Sequence, residues 1–411
     1  MTTSVAQDFF ARSVRERLFV PQPEEVRRVG AEIELLALLA GSGLPCPLAP
    51  AHDDQRCSLS LIRSYGGVRG WCEKRSSKGA PYFTLPNGWT LTFEPGGQLE
   101  LCTAPQASIG ALLRDARETV AGLTTMGAEV GIELVSLGID PRNEIERIPL
   151  QLHSPRYERM TQYFDSIGPS GVRMMRQTAA TQVSLDPGRD PARRWRLLSD
   201  LTPYLTAMFA NSARYAGVNT GHRSFRARCW RLLDPSRTGV PYPELSACAA
   251  YTRFALEAGE MSRTADDGSY RSFGEWVADD EWTETEWHEH LTTLFPEVRP
   301  RGHLEVRSID ALGPDMIGAP LVLLAGLAYD EESAVDARSL LPPADEDMLN
   351  RAARCGMNDD TIATIAADLV RIGLRGAKTL GATLIDGAEL ELAEQFFDDW
   401  TLRRRSPADS R

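Results

Sequence analysis

Alternation of polar and apolar residues is the clearest pattern along this chain, and it predicts short strands. It occurs in VGAEIELL, in the neighbouring runs WTLTF and QLELC, in TAATQVSLD (178–186) and in GHLEVRSID (302–310). Successive side chains of a strand point to opposite faces, so each run has one apolar and one polar face. The runs come without a regular strand–helix alternation, which favours an α+β fold with an antiparallel sheet.

Apolar residues at helical spacing predict helices in the rest of the chain. They recur over 107–127, near 191–211, 244–258 and 283–295, and through most of the C-terminal region to about residue 400. No internal repeat or low-complexity linker separates these segments. We therefore expect a single domain over residues 1–400, followed by a solvated, disordered tail over residues 401–411.

A Pro-Gly-Gly turn, in FEPGGQLEL (93–101), joins two of the predicted strands. Such a turn predicts a hairpin, and the residues beside it are Glu94 and Glu100 rather than the usual apolar pair. A sharp reversal here would bring these two carboxylates close together at one end of a sheet.

The polar faces of the predicted strands are rich in carboxylates. Glu32 and Glu34 share one face, Gln98 and Glu100 a second, Gln182 and Ser184 a third, and Glu305 and Arg307 a fourth. Any one of these faces is explained by exposure to solvent. Together, however, like charges repel one another, and a sheet that collects them indicates a compensating cation. Oxygen-only ligands favour Mg²⁺ or Mn²⁺, which in turn suggests nucleotide phosphates.

Charge and cysteine content narrow the class of protein. The 411 residues carry a formal net charge of −12, which disfavours nucleic acid and anionic membranes as partners. The seven cysteines include no CxxC pair, which is typical of reduced thiols in a cytoplasm. The apolar run APLVLLAGLAY is too short to cross a bilayer. These features predict a cytoplasmic protein that acts on small molecules.

Five segments, in order, resemble the glutamate–cysteine ligases of the plant and proteobacterial branch, which includes the ligase of ergothioneine synthesis. They are VGAEIELL, LTFEPGGQLEL, MMRQTAATQVSLD, ANSARYAGVNTGHRSFRARCWRLLDPSRTG and HLTTLFPEVRPRGHLEVRSIDAL. The similarity covers about residues 28 to 330. The EPGGQ hairpin combined with the HLTT and LEVR segments is highly specific.

The resemblance implies a glutamine-synthetase-like fold, in which an antiparallel sheet forms a concave active site flanked by helices. It implies that ATP phosphorylates the γ-carboxylate of L-glutamate and that the amine of L-cysteine attacks the acyl phosphate. The products would be γ-glutamylcysteine, ADP and phosphate. Mg²⁺ or Mn²⁺ would be the cofactor, ATP a co-substrate, and the protein a monomer or homodimer.

The resemblance also implies roles for particular residues. The metal-binding carboxylates would be Glu32, Glu34, Glu94, Glu100 and Glu305. Glu305 and Arg307 would be catalytic, with Arg307 neutralising charge on the transferring phosphoryl group. The substrate- and nucleotide-binding residues would be Gln98, Gln182, Ser184, Arg226 and Arg307.

Three departures from the family pattern concern the acceptor and the wall of the nucleotide pocket rather than the phosphoryl chemistry. Ser184 replaces the usual Asn, Gly259 and Glu260 replace a Pro-Met pair, and Asp315 replaces a Trp. Cysteine is the leading acceptor, and a different amine in a specialised pathway is the alternative. A third hypothesis is a non-catalytic binding relative, but the complete carboxylate set argues against it.

Overall fold

The computed structural model describes residues 3–50, 55–239 and 242–410. Its strands are β1 (Val29–Leu39), β2 (Cys72–Arg75), β3 (Pro81–Thr84), β4 (Thr90–Phe93), β5 (Leu99–Cys102), β6 (Ile132–Val135), β7 (Thr181–Leu185), β8 (Arg214–Tyr215), β9 (Val218–Asn219), β10 (Val298–Pro300) and β11 (Leu304–Val306).

The α-helices in the described part of the chain are α1 (Thr3–Arg17), α2 (Ser58–Gly67), α3 (Ile109–Glu129), α4 (Pro155–Ile167), α5 (Pro169–Gln177), α6 (Pro191–Met208), α7 (Phe225–Leu233), α8 (Pro235–Thr238), α9 (Ala247–Glu257), α10 (Phe273–Ala278), α11 (Glu284–Leu291), α12 (Gly318–Tyr329), α13 (Glu331–Leu340), α14 (Glu346–Cys355), α15 (Asp360–Leu380) and α16 (Gly387–Asp399). Short 3₁₀ turns lie at Ile145–Arg147, Gly356–Asn358, Thr401–Arg403 and Pro407–Ser410.

One antiparallel sheet contains most of the described strands. Its order is β10-β11-β7-β1-β5-β4-β3-β2, and β6 pairs with the second half of β1. Each of these pairings is antiparallel. The predicted α+β fold with an antiparallel sheet is therefore confirmed.

The register of the central strands brings the polar residues onto one face. Glu34 is paired with Glu100, and Glu32 is paired with Cys102 on one side and Gln182 on the other. Ser184 is paired with Glu305 on β11. Because side chains of directly paired residues lie on the same face, the four predicted acidic faces form one continuous surface.

The opposite face of the sheet is apolar and forms part of the core. Ile33, Leu35, Leu101 and Val183 are at most 2% exposed. They belong to the same hydrophobic cluster as buried residues of α3, α6 and α12. Burial of this face fixes the register, because a slip by one residue would turn the carboxylates inward and the leucines outward.

Two glutamines anchor the tip of the β4–β5 hairpin. The Gln98 side chain accepts a hydrogen bond from Gly96 N at 3.0 Å and donates one to Thr178 O at 2.9 Å. Gln151 donates to Gly96 O at 2.8 Å. The turn that separates Glu94 from Glu100 is thus fastened to the start of β7 and to the segment before α4.

Several local features differ from the sequence prediction. The alternation analysis did not predict β2, β3 or β10, which are only three or four residues long. The prediction of a disordered tail is wrong for residues 401–410. Pro407 and Ala408 are buried, and Ala408 N donates to Ala210 O at 2.9 Å. Small apolar residues let this segment dock despite its many arginines, while residue 411 lies outside the described chain.

No helix in the described ranges combines the length and hydrophobicity needed to cross a membrane. The predicted single domain over residues 1–400 stays a prediction.

The hairpin tip generates a first prediction. A Cβ on Gly96 would lie 2.1 Å from Arg176 O, so Gly96→Ala must move the hairpin away from α5. We expect a large loss of stability, measured by chemical denaturation. The control is Gly88→Ala in the β3–β4 turn, where φ is +82° and nothing lies within 4 Å. That change should cost only about 1 kcal/mol of backbone strain. Equal losses for both variants would contradict the close approach.

Candidate active site

The acidic face of the sheet forms the floor of a cavity of about 260 Å³. Glu32, Glu34, Glu94 and Glu100 line it from the sheet side. Five arginines line it as well: Arg156, Arg226, Arg299, Arg301 and Arg307. We call this space the acid–arginine cavity. It places a dense set of carboxylates opposite a dense set of guanidinium groups, although these residues are far apart in the sequence.

The carboxylates of the floor disfavour one another's ionisation. Burial, followed by the charges of Glu100 and Glu305, raises the pKa of Glu32 to about 8. Burial and the neighbouring glutamates likewise raise the pKa of Glu94 well above its ordinary value. The pKa of Glu100 is raised by burial and by the charge of Glu34. A bound cation would relieve this repulsion.

The donor atoms of the floor fit a metal ion. One oxygen each from Glu32 and Glu100 and the Cys102 sulfur lie within 4.8 Å of one another. Glu34 is held beside them by hydrogen bonds from Ala180 N and Gln182 Nε2, both at 2.8 Å. Carboxylate oxygens dominate this set, which suits Mg²⁺ or Mn²⁺.

Glu305 differs from the other predicted metal ligands because arginines surround it. Arg299 Nη2 lies 2.9 Å and Arg301 Nη1 3.3 Å from its carboxylate oxygens, and Arg307 Nη1 also donates to it. Burial alone would raise the pKa of Glu305, but the charges of these arginines hold it well below its ordinary value. The arginines therefore favour its charged form, and its carboxylate serves as the anchor of an arginine cluster.

Arg307 and Arg226 are both placed around Trp230. Their guanidinium carbons lie 5.4 Å and 5.1 Å from the ring centroid of Trp230. Arg226 donates to the backbone oxygen of Arg307 at 2.8 Å, which ties the Arg226 side chain to the strand end that carries Arg307. The buried Nε atoms of both arginines have no partner among the described residues. These two planar groups are thus held rigidly while retaining unused donors.

A buried network around Asp310 positions Arg226. Asp310 accepts hydrogen bonds from Asn211 N, Ser212 Oγ and Ser224 Oγ at 2.8, 2.6 and 2.9 Å. Its carboxylate lies 3.9 Å from Arg226 Nη1. Ser224 caps α7, the helix that carries Arg226, so the cap and the arginine share one anion.

The remaining predicted binding residues have different surroundings. Gln182 lines the cavity, and its Oε1 is buried without a partner among the described residues. Gln98 also lines it, but both ends of its amide bond to the backbone. Ser184 does not line this cavity and lies beside Gly30 and Glu305, further along the sheet.

The structure adds residues that sequence reasoning missed. Arg299 is paired with Glu305 across the β10–β11 hairpin, and Arg301 lies at its turn. The sequence contained a pattern that could have predicted both arginines, because polar and apolar residues alternate in VRPRGHLEVR on both sides of Gly302, as in a hairpin. Arg156 and Tyr157 at the start of α4 also line the cavity, and no strand pattern pointed to them.

Two further cavities adjoin the first. One, of about 670 Å³, lies beside the β2–β3 hairpin and shares Glu94, Glu100 and Arg156 with the acid–arginine cavity. The other, of about 220 Å³, shares Arg156, Met160 and Thr292 with it. We call the smaller one the side pocket. The arrangement can therefore hold a polyanion, a metal ion and more than one small molecule around a single reaction centre.

Comparison with known proteins agrees with this geometry. The family model "Glutamate-cysteine ligase family 2 (GCS2)" matches residues 28–392. The chain belongs to this family. It is 34% identical over 350 residues to glutamate–cysteine ligase EgtA of Mycolicibacterium smegmatis, covering 79% of this chain and 78% of that one. It is also 29% identical to the chloroplastic glutamate–cysteine ligase of Brassica juncea, covering 71% of this chain and 61% of the relative.

The fold of this chain is similar to that of a solved structure, a glutamate–cysteine ligase from Francisella tularensis in complex with AMP. The TM-score is 0.54 at 12% sequence identity, over 93% of this chain and 84% of the other. The resemblance to glutamate–cysteine ligases is confirmed, as is the glutamine-synthetase-like sheet that forms a concave site flanked by helices.

A pH prediction follows from His290 in the side pocket. Burial, with the charge of Arg237, lowers the pKa of His290 to about 3, so the folded protein keeps this ring neutral. Below about pH 6.5 the unfolded chain binds a proton here that the folded protein does not. Stability should therefore fall as the pH drops, by about 2–3 kcal/mol between pH 7 and pH 4.5 from this residue alone.

The variant His290→Gln tests how much of the pH dependence of stability comes from this residue. Its amide can replace the 2.8 Å hydrogen bond from Nε2 to Ala255 O but does not titrate. Urea denaturation at both pH values should show a smaller loss of stability on acidification for the variant than for the wild type. The same loss for both proteins would mean that His290 becomes protonated in the folded state.

Proposed function

We propose that this protein is an ATP- and Mg²⁺-dependent ligase that joins the γ-carboxylate of L-glutamate to the amine of L-cysteine. The products are γ-glutamylcysteine, ADP and phosphate. The observation that carries the proposal is the acid–arginine cavity itself, with four carboxylates on its floor and five arginines around them. Such a cavity suits the transfer of a phosphoryl group between anions in the presence of a divalent cation.

In this proposal Glu32, Glu34, Glu94 and Glu100 hold the metal. When bound there, Mg²⁺ would supply positive charge that offsets the negative charge developing on the transferring phosphoryl group. Glu305 was predicted as a fifth metal ligand. Its three arginine partners favour a different main role, in which it orients Arg307 and so supports catalysis indirectly.

The arginine cluster supports a position for the nucleotide phosphates. Arg299, Arg301 and Arg307 share the single carboxylate of Glu305, so the cluster has excess positive charge to offer a polyphosphate. Arg307 donates to the transferring phosphoryl group. Ser184 lies next to Glu305 in the sheet register, and we propose that it faces the nucleotide on that side.

The glutamate substrate is proposed to lie toward Arg226 and Gln182. Arg226 is 4% exposed and held by Asp310, so its remaining donors are preorganised for a carboxylate. The unpartnered Oε1 of Gln182 can accept a hydrogen bond from the substrate ammonium group. Gln98 contributes by fixing the hairpin that carries Glu94 and Glu100.

The chemistry requires no nucleophile from the protein. A γ-carboxylate oxygen of glutamate attacks the γ-phosphorus of ATP, and ADP leaves. The acceptor amine then attacks the γ-carbonyl carbon, the bond to the phosphate oxygen breaks, and inorganic phosphate departs with the electron pair. The preorganised arginines stabilise charge in both steps. We also propose that the enzyme works in the cytoplasm, as a monomer or homodimer.

A second candidate function is the same ligase reaction with a different acceptor amine. The acidic residues Glu260, Glu286 and Glu289 line the side pocket, and this favours an amine other than cysteine as a substrate of the same chemistry.

Removing one floor carboxylate provides the main test. Glu100→Gln should abolish ADP release with glutamate and cysteine, because a neutral amide is a poor ligand for Mg²⁺. The metal-free variant should be at least as stable as the wild type, since it lacks one repelling charge. Thermal unfolding and coupled ADP assays measure both. A stabilised variant with near wild-type turnover would show that the acidic face is only a solvated surface.

Replacing Arg307 tests the catalytic arginine. Arg307→Lys keeps the charge but loses the planar fork, and loss of a preorganised donor costs about 3 kcal/mol, roughly a hundredfold in kcat. Arg301→Lys is the matched comparison, because the Arg301 side chain is 52% exposed and should mainly affect the KM for ATP. Unchanged kcat with a raised KM in Arg307→Lys would move Arg307 to ground-state binding.

A further inference from the structure

The side pocket lies directly beside the proposed reaction centre. Its walls come from the start of α4, the segment between α9 and α10, and the end of α11. Arg156, Met160 and Thr292 line both the side pocket and the acid–arginine cavity. A molecule whose amine reaches the reaction centre can therefore extend its side chain into this pocket.

Glu260 gives the pocket an unbalanced buried charge. The residue is 5% exposed, and its carboxylate accepts hydrogen bonds from Ser262 N at 2.9 Å and Ser262 Oγ at 2.6 Å. Among the described residues it has no basic ion-pair partner. Buried carboxylates are normally paired with a cation, because desolvation of a lone charge is costly. The pocket thus lacks a positive group at this position.

His290 adds a second acceptor to the same pocket. Its Nε2 lies 2.8 Å from Ala255 O, and because a carbonyl only accepts, the ring hydrogen is assigned to Nε2. The other nitrogen, Nδ1, is then a lone-pair acceptor, and it is buried with no partner in the described chain. Among the described residues, His290 Nδ1 therefore lacks a donor and Glu260 lacks a cationic partner.

The other wall of the side pocket has the opposite charge. Lys78, Arg156 and Arg159 line it, and Arg156 lies at the boundary with the reaction centre. The buried Nε of Arg156 has no partner among the described residues. The lining of the side pocket therefore contains both cations and acceptors, with Arg156 at the boundary with the reaction centre and Glu260 and His290 as the acceptors.

We infer that the side pocket binds the side chain of an acceptor and that, beyond cysteine, the enzyme takes a diamino acid, whose second amine is a cation. The α-carboxylate of this acceptor pairs with Arg156, and the distal ammonium group pairs with Glu260 and donates to His290. The inference rests on the proposed ligase function and specifies its acceptor class. The free α-amine supplies the electron pair for the new C–N bond, the bond from carbonyl carbon to phosphate oxygen breaks, and the amine proton passes to solvent.

A diamino acid meets the charge of this pocket, whereas cysteine leaves it unmatched. The cysteine side chain ends in a neutral thiol, which is a weak donor and brings no charge to Glu260. A side chain of three methylene groups with a terminal ammonium carries the charge that the pocket lacks. The structure thus extends the acceptor range from cysteine to longer, basic amines.

The test compares acceptors that differ only in the distal charge. L-Ornithine and L-norleucine have side chains of nearly equal length, but only ornithine ends in an ammonium group. With MgATP and glutamate, kcat/KM for ornithine should exceed that for norleucine by at least about tenfold, as expected for a hydrogen bond to a charged group. Mass spectrometry identifies the γ-glutamyl product. Equal or lower efficiency for ornithine would overturn the inference.

Variants then test whether the preference for ornithine over norleucine arises from Glu260 in the side pocket. Glu260→Gln should reduce the ornithine-to-norleucine ratio by about tenfold or more. Glu284→Gln, on the exposed first turn of α11, is the matched control and should leave the ratio unchanged. An unchanged ratio in Glu260→Gln would overturn the assignment to this pocket. If Glu260→Gln fails to fold, the ornithine-to-norleucine ratio is measured for Glu286→Gln, which also changes a carboxylate of the pocket lining. The comparison of ornithine with norleucine on the wild-type enzyme tests the inference without any variant.

Hydroxylamine separates this inference from the function on which it rests. It is small enough to trap an acyl phosphate as the hydroxamate without using the side pocket. Hydroxamate formation without a preference for ornithine would overturn the acceptor assignment and leave the ligase proposal standing. The absence of hydroxamate and of ADP release with every acceptor would overturn the ligase proposal itself.

Discussion

Mutual repulsion among buried carboxylates is the constraint on which the site depends. The sheet brings four carboxylates onto one surface: Glu32 and Glu34 on β1, Glu100 on β5, and Glu94 directly after β4. Their raised pKa values, with Glu32 at about 8, reflect the free energy of holding like charges together away from bulk water. The fold keeps them there because the opposite face of the same strands forms the core. Stability of the core thus maintains a site that is electrostatically unfavourable without a cation.

The arginines stabilise a buried carboxylate that is not one of the four on the floor. Glu305 is fully buried, and three guanidinium groups offset the loss of its hydration. This cluster is rigid, because each arginine is fixed by a carboxylate, an aromatic ring or a backbone carbonyl. Rigid donors near developing charge require little reorganisation during reaction, which is the main physical advantage of a preorganised site. The Asp310 network extends the same support to Arg226.

The acid–arginine cavity and the side pocket are suited to different parts of the reaction. The acid–arginine cavity has the charges that phosphoryl transfer needs, and its four floor carboxylates and four of its arginines lie in the segments that resemble glutamate–cysteine ligases. The side pocket combines Glu260, which departs from the family pattern, with His290 and Thr292 of the shared HLTT segment. Catalysis and acceptor choice are therefore assigned to different structural elements, which meet at Arg156. Such a separation lets the acceptor change while the activation of glutamate stays the same.

The sequence by itself determined the central strands, their polar faces and the residue types that line the floor. Side-chain alternation is a local property, so Glu32 and Glu34, or Glu305 and Arg307, could be assigned to common faces without a structure. The EPGGQ hairpin and the LEVR segment were specific enough to indicate the family. The predicted disordered tail was wrong, because whether Ala408 finds a small apolar cluster is decided by distant residues.

Only the tertiary structure decided how these faces combine. Strand order and register placed Glu34 opposite Glu100, a pairing that does not follow from local pattern. The contributions of Arg156 and His290 come from helices, whose positions depend on packing over long sequence separations. Burial also decided the electrostatics, because the same carboxylate has an ordinary pKa in water and a raised one when other glutamates surround it. Sequence specified the reactive groups, and packing in three dimensions set their partners and their charge.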